Sequence, residues 1–237
     1  MPGVSVLLSE LAYLRGALRT LNRVKPIKST PTVTVLERLE DVIKKNEKRV
    51  ALISKHETLT FGEMGTRINR IARWALANGI HKGDTVALFL PNRPDYLCIW
   101  LGIARAGGAT ALLNTSQTGH ALSYSVTIVK PKIAIVAREL RGIYMQAMEG
   151  VGEAPRMIVH DLSDSEFDRE LQNFNGMSLE THEKAPLTLD DRCVYVYTSG
   201  TTGLPKAANI NHYRVSAMAL GFSSVMEAGK TDRLYDC

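Results

Sequence analysis

Between Tyr195 and Lys206 the chain reads Tyr-Val-Tyr-Thr-Ser-Gly-Thr-Thr-Gly-Leu-Pro-Lys. Thr198, Ser199, Thr201 and Thr202 crowd four hydroxyls around Gly200, and Gly203, Leu204 and Pro205 lead into Lys206. Each residue type suits holding a polyphosphate. Glycines let backbone N–H groups approach an anion and allow positive φ. Hydroxyls donate to phosphate oxygens, and a lysine adds a point charge. Pro205 stiffens the approach to that lysine. The spacing is not the Walker pattern, which needs four residues between its glycines and a Lys-Ser/Thr ending. Here two residues separate Gly200 from Gly203, and Ala207 follows Lys206.

Such a loop needs a rigid mount. Residues 193–197 read as a buried strand entering it and residues 206–211 as a strand leaving it. Upstream, strand-like and helical segments alternate. Thr34 and Glu37 stand in a capping-box arrangement before a helix that runs to about Asn46. Short strands are expected at 49–54 and 57–60, and a helix over 61–78 with Ile68, Ile71, Ala72, Ala75 and Leu76 on one stripe. Strands at 85–90, 110–113, 133–137 and 157–160 are separated by helices at 94–106, 119–129 and 138–148, and a last helix follows at 215–227. Residues 161–190 show no clear period and read as a helix plus a long surface connection. The expected fold is α/β, a parallel or mixed sheet with helices on both faces.

The net charge of +5 is uneven. Residues 1–30 hold Arg15, Arg19, Arg23, Lys25 and Lys28 against Glu10 alone, so +4 lies there. A basic start on a near-neutral body points to an anionic surface such as lipid headgroups, and away from nucleic acid. Within it, residues 4–24 predict an amphipathic helix, with Leu7, Leu11, Leu14, Leu18 and Leu21 on one side and the three arginines on another. Two readings stand: a helix lying on a membrane surface, or one docked on its own protein or a partner. Pro26 and Pro31 mark 25–32 as a linker, so 1–32 is expected to be separate from a body at 33–237. No stretch is long and apolar enough to span a bilayer, and no signal peptide is recognised. The expected location is cytoplasmic, peripheral at the membrane surface. Cys98 and Cys193 read as small buried apolar residues, with no disulfide framework or metal cluster.

The stretch 197–206 resembles the phosphate-binding signature of the adenylate-forming superfamily, which includes acyl-CoA synthetases, peptide-synthetase adenylation domains and luciferases. Leu59–Met64 and Ile103–Ala109 resemble that family's early segments in order and spacing. Leu113-Asn114-Thr115, Ala207-Ala208 and Leu234–Cys237 are similar to the fatty acid transport protein and very long-chain acyl-CoA synthetase branch.

The resemblance implies ATP-dependent activation of a long- or very long-chain fatty acid, first to acyl-AMP and then to acyl-CoA, with ATP, Mg2+ and CoA as cofactors. Thr198, Ser199, Gly200, Thr201, Thr202, Gly203 and Lys206 are the expected nucleotide-binding residues. The magnesium, CoA and acyl sites are expected beyond Cys237, so the chain is expected to be the front part of a longer enzyme, inactive alone. Two other readings remain open at this point: a nucleotide-binding or regulatory module, and an adenylating enzyme that loads a carrier protein. His212 is expected to start a helix or lie at the surface, and Tyr195 and Tyr197 to pack in the core.

Overall fold

The computed structural model describes the backbone of residues 2–161, 165–198 and 203–235. In chain order it contains α1 (Pro2–Val24), a 3-10 turn (Lys25–Ser29), α2 (Val35–Asn46), β1 (Val50–Ile53), β2 (Thr58–Thr60), α3 (Phe61–Ala77), β3 (Thr85–Phe89), α4 (Pro94–Arg105) and β4 (Ala109–Leu112). There follow α5 (Gly119–Thr127), β5 (Ile133–Ala137), α6 (Arg141–Met148), β6 (Arg156–His160), α7 (Glu166–Gln172), β7 (Arg192–Thr198), β8 (Lys206–Asn211) and α8 (His212–Val225).

Local chemistry sets the helix starts. The Thr34 hydroxyl accepts from Leu36 N, and Glu37 reaches back to the Thr34 amide at 2.8 Å. Thr60 and Glu63 repeat the capping box at α3. Pro94 occupies the first turn of α4, where a missing N–H costs nothing. Asn211 caps α8 by accepting from Arg214 N.

The central sheet has the order β6-β5-β3-β4-β7-β8, parallel except for β8, which returns antiparallel to β7. β1 and β2 form a separate antiparallel pair. β3 and β5 are buried along their whole length, as expected of inner strands covered on both faces. Val86, Leu88, Ile133 and Ile135 face a cluster built with Ile68, Ile71 and Trp74 of α3 and Ile99 and Ile103 of α4. Ala87, Phe89, Ala134 and Val136 face Leu122 and Val126 of α5 and Tyr144 of α6. The sheet is therefore mixed and helix-covered on both sides, as its sequence pattern predicts.

The segment 161–190 departs from expectation. Beyond α7 it is not simply a surface connection: Leu179, Leu187 and Leu189 are buried. Arg73 explains its course. Its guanidinium donates to the carbonyls of Asn175, Met177 and Ser178 and pairs with the Glu183 carboxylate at 2.7 Å, so one side chain pins the segment along α3. Trp74 adds a second anchor, donating Nε1–H to Glu170 at 2.6 Å and stacking edge-on with Phe167. The 25–32 linker is also laid against the body: Ile27 is fully buried, and Leu189 N bonds Pro31 O.

Helix α1 docks on α8. Arg19 pairs with Glu227 at 2.6 Å, and Thr20 lies opposite Gly221. The leucine stripe is not the docking face: Leu11, Leu14, Leu18 and Leu21 are 43–60% exposed. Among the described residues no helix is long and apolar enough to cross a membrane. Cys98 and Cys193 are buried free thiols, each pushed up to about 12 by burial, so both stay protonated and act as apolar filler.

Candidate phosphate-binding site

The carboxyl ends of the five parallel strands lie along one edge of the sheet. From β3 the chain crosses to β4 on one side, then returns to β5 on the other, so β3 and β5 flank a topological switch point. Open α/β sheets bind ligands in the crevice outside such a point. β7 lies at the same carboxyl edge on the far side of β4, with Val196 paired to Leu112.

β7 ends at Thr198 and β8 begins at Lys206, and these two residues are register partners in the antiparallel ladder. Both side chains are exposed. β7 and β8 thus form an antiparallel hairpin whose last rung is Thr198 opposite Lys206. Gly203 has φ +83°, a left-handed conformation that suits a residue without Cβ. Of the residues singled out by sequence, Thr198, Gly203 and Lys206 are placed here. Ser199, Gly200, Thr201 and Thr202 lie outside the described residues. The donor chemistry of the placed residues fits an anionic ligand: an exposed hydroxyl and an ammonium at the mouth of one loop.

A neighbouring turn joins this edge. Beyond β4, whose pairing with β7 ends at Leu112–Val196, residues 114–118 (Asn-Thr-Ser-Gln-Thr) leave the same carboxyl edge. Asn114 accepts from the Ser116 amide at 2.9 Å, and its carbonyl accepts from Gln117 N, so the turn is tight. Sequence reading used Asn114 and Thr115 only as family markers. That they follow a strand ending at the same edge as β7 is set by the β4–β7 pairing, which a local pattern does not reveal.

A second polar region lies elsewhere. A groove of about 890 Å³ runs between α2, α3, α7 and residues 176–178. Its principal charges are already engaged with one another. Arg67 bridges Glu57 (2.9 Å) and Asp95 (2.6 Å), and Asp95 in turn meets His160 Nε2 at 3.0 Å. Glu63 and Asp168 cap α3 and α7. Of the described loop residues, Thr198, Gly203 and Lys206 do not line it. These groups hold α3, α4 and β6 together.

His212 opens α8 and is fully buried, not at the surface. Burial pushes its pKa down, opposed by Glu37 and Asp191, so the ring is kept neutral. Tyr195 and Tyr197 are half-buried, Tyr195 under the Arg192 guanidinium and Tyr197 packed on the α5–α6 side.

The AMP-binding enzyme family model matches residues 39–236. Long-chain fatty acid transport protein 1 of Rattus norvegicus is 32% identical over 213 residues, which cover 86% of this chain and 33% of the relative. The chain therefore spans about a third of the length of the curated relatives it matches. Among solved structures, ATP-bound MatB from Rhodopseudomonas palustris is 26% identical at TM-score 0.64, covering 76% of this chain and 35% of that one. The anthranilate CoA ligase AuaEII in complex with anthranoyl-AMP shares the fold at TM-score 0.69 and 19% identity, covering 77% of this chain and 35% of its own. The span matched by the family model, most of the chain, settles the family: this chain belongs to the AMP-binding enzymes.

Proposed function

We propose that the chain serves the ATP-dependent activation of long- or very long-chain fatty acids. A fatty acid carboxylate attacks the α-phosphorus of ATP, forming acyl-AMP and releasing pyrophosphate. The CoA thiol then attacks the acyl carbonyl carbon, forming acyl-CoA as AMP leaves with the bonding electrons. Chemistry of this kind depends on positioning and charge neutralisation. In this reading Thr198, Ser199, Gly200, Thr201, Thr202, Gly203 and Lys206 hold the β- and γ-phosphates and the departing pyrophosphate. None of the described residues is assigned to magnesium, CoA or the acyl chain.

The observation that carries the reading is the β7–β8 hairpin at the carboxyl edge of the sheet, with Thr198 opposite Lys206 on its last rung. The fatty acid enters from the relative's name, long-chain fatty acid transport protein 1. ATP is supported by the ATP-bound neighbour. In the same reading residues 1–32 form an attachment segment and 33–237 the nucleotide-binding body. The outward leucines of α1, flanked by Arg15 and Arg23, support peripheral contact with an anionic membrane.

Calorimetric titration of the chain with MgATP tests the reading, alongside mass spectrometry for acyl-AMP and acyl-CoA after incubation with palmitate, MgATP and CoA. Saturable MgATP binding is expected even if no thioester forms. No binding of MgATP at millimolar concentration would overturn it.

A further inference from the structure

Tyr197 stands immediately before the phosphate-binding loop, and its contacts are not those of a simple core residue. On the α5–α6 side of the sheet its ring packs against the cluster containing Phe89, Leu113 and Leu122. Its hydroxyl crosses to α5 and donates to the Ser125 carbonyl at 2.6 Å. Ser125 lies in the last turn of that helix, where carbonyls run out of intrahelical donors. Burial, with Tyr195 close by, keeps the phenol protonated, so the donor persists across the working pH range. Across the hairpin Tyr197 pairs with Ala207, one rung below Thr198 and Lys206.

The loop is therefore mounted on an edge hairpin. Among the described residues β8 has a neighbour on only one side, and the Tyr197 hydroxyl bond ties the end of that hairpin to a helix beneath the sheet. We propose that Tyr197 is a positioning residue: it fixes the Thr198 and Lys206 ends of the loop by clamping the end of β7 to the last turn of α5. The proposal rests on the nucleotide-binding reading above for its consequence, though not for its geometry. Without the clamp, the donors at Thr198 and Lys206 must be ordered by the nucleotide itself, and binding weakens by that cost.

The test compares Tyr197→Phe, which removes one oxygen and keeps the ring, with Tyr144→Phe. Tyr144 is a buried tyrosine of the same cluster whose hydroxyl has no partner among the described residues. Hydrogen exchange is measured at the amides of residues 196–198 and 206–208, together with MgATP affinity and the urea midpoint. Tyr197→Phe should speed exchange at these amides about fivefold, the worth of one such hydrogen bond. It should weaken MgATP binding by a similar factor, with both values unchanged in Tyr144→Phe. A shift in urea midpoint with no local change in exchange overturns the proposal, because a purely structural bond would give that result. If the wild-type chain binds no MgATP, the nucleotide reading fails and the exchange data alone decide the positioning role.

Discussion

Thr198 and Lys206 face each other across the final rung of β7 and β8, so a hydroxyl and an ammonium stand together at the mouth of one loop. Lys206 is exposed, and its side chain contributes little to the fold. Lys206→Ala should therefore leave the unfolding midpoint unchanged while weakening MgATP binding. The loss of a charged hydrogen bond costs about 1.5–3 kcal/mol, or roughly 10- to 100-fold in affinity. Lys206→Arg should recover part of the loss, since the charge remains but its point geometry does not. Equal MgATP affinities for wild type and Lys206→Ala, by calorimetry, would remove Lys206 from the site.

The pairing of Asp95 with Arg67 and His160 makes acid stability a second test. Burial alone would raise the Asp95 pKa, but hydrogen bonding from His160 and the Arg67 charge overcome it and hold the carboxyl below its ordinary value. An unfolded Asp titrates near ~3.9. The stabilisation is therefore full above about pH 4 and is lost as pH falls through the lower folded value. Asp95→Asn should lower stability at pH 7 by about 1.5–3 kcal/mol and flatten the acid limb below about pH 4. Urea unfolding at pH 7 and pH 3 measures both, and parallel pH profiles for the two proteins would contradict the assignment.

Close approach of α3 and α4 depends on one glycine. A Cβ on Gly102 would lie 2.5 Å from Ile71 Cγ2 and 3.0 Å from the Ile68 carbonyl oxygen. Alanine at this helical position gains at most about 1 kcal/mol of propensity. Overpacking a buried contact costs roughly 1–3 kcal/mol. Gly102→Ala should thus destabilise on balance, lowering Tm, whereas Gly142→Ala, where a Cβ meets nothing within 4 Å, should not.

How much of this was legible beforehand depended on the range of the interaction. Thr34-Glu37 and Thr60-Glu63 announced their helices because a capping box is complete within four residues. The apolar runs of β3 and β5 announced inner strands because both their faces are covered. The strands β7 and β8 were legible because strand-like runs flank the hydroxyl-rich segment on both sides. Arg73, by contrast, collects carbonyls more than 100 residues away, and Arg67, Asp95 and His160 come from three separate elements. Nothing local records those meetings. Periodicity likewise identified the apolar stripe of α1 without saying which face packs. The docked face carries Thr20, opposite Gly221, because small groups let helices approach closely.

His212 gives a fourth prediction. Both ring nitrogens are buried without partners among the described residues, and its pKa is lowered by burial, with Glu37 and Asp191 opposing. The unfolded ring charges below about pH 6.5 while the folded one stays neutral, so stability is complete above that pH and falls as pH drops toward the lower folded value. His212→Leu should cost little at pH 8, since it replaces an unpaired polar group with an apolar one. It should also remove this component of the loss between pH 6.5 and the lower folded pKa. Identical pH slopes in wild type and variant, by urea unfolding, would show that the histidine charges freely in the fold.

The outward leucines of α1 carry the last prediction. Leu11, Leu14, Leu18 and Leu21 are exposed while α1 is held to α8 by another face, so the stripe can meet a surface without undocking the helix. Burying one leucine in a lipid interface is worth up to about 1.5–3 kcal/mol, and each basic residue near an anionic leaflet adds about 1 kcal/mol. Vesicles containing phosphatidylserine should therefore sediment the chain, and neutral phosphatidylcholine vesicles should do so less. Leu14→Glu with Leu18→Glu should reduce sedimentation at least tenfold by losing apolar burial and adding repulsive charge. Arg15→Glu with Arg23→Glu should instead abolish the preference for phosphatidylserine and its sensitivity to salt. Unchanged sedimentation of the leucine variant would mean that the stripe is not the contact face, whatever attracts the arginines.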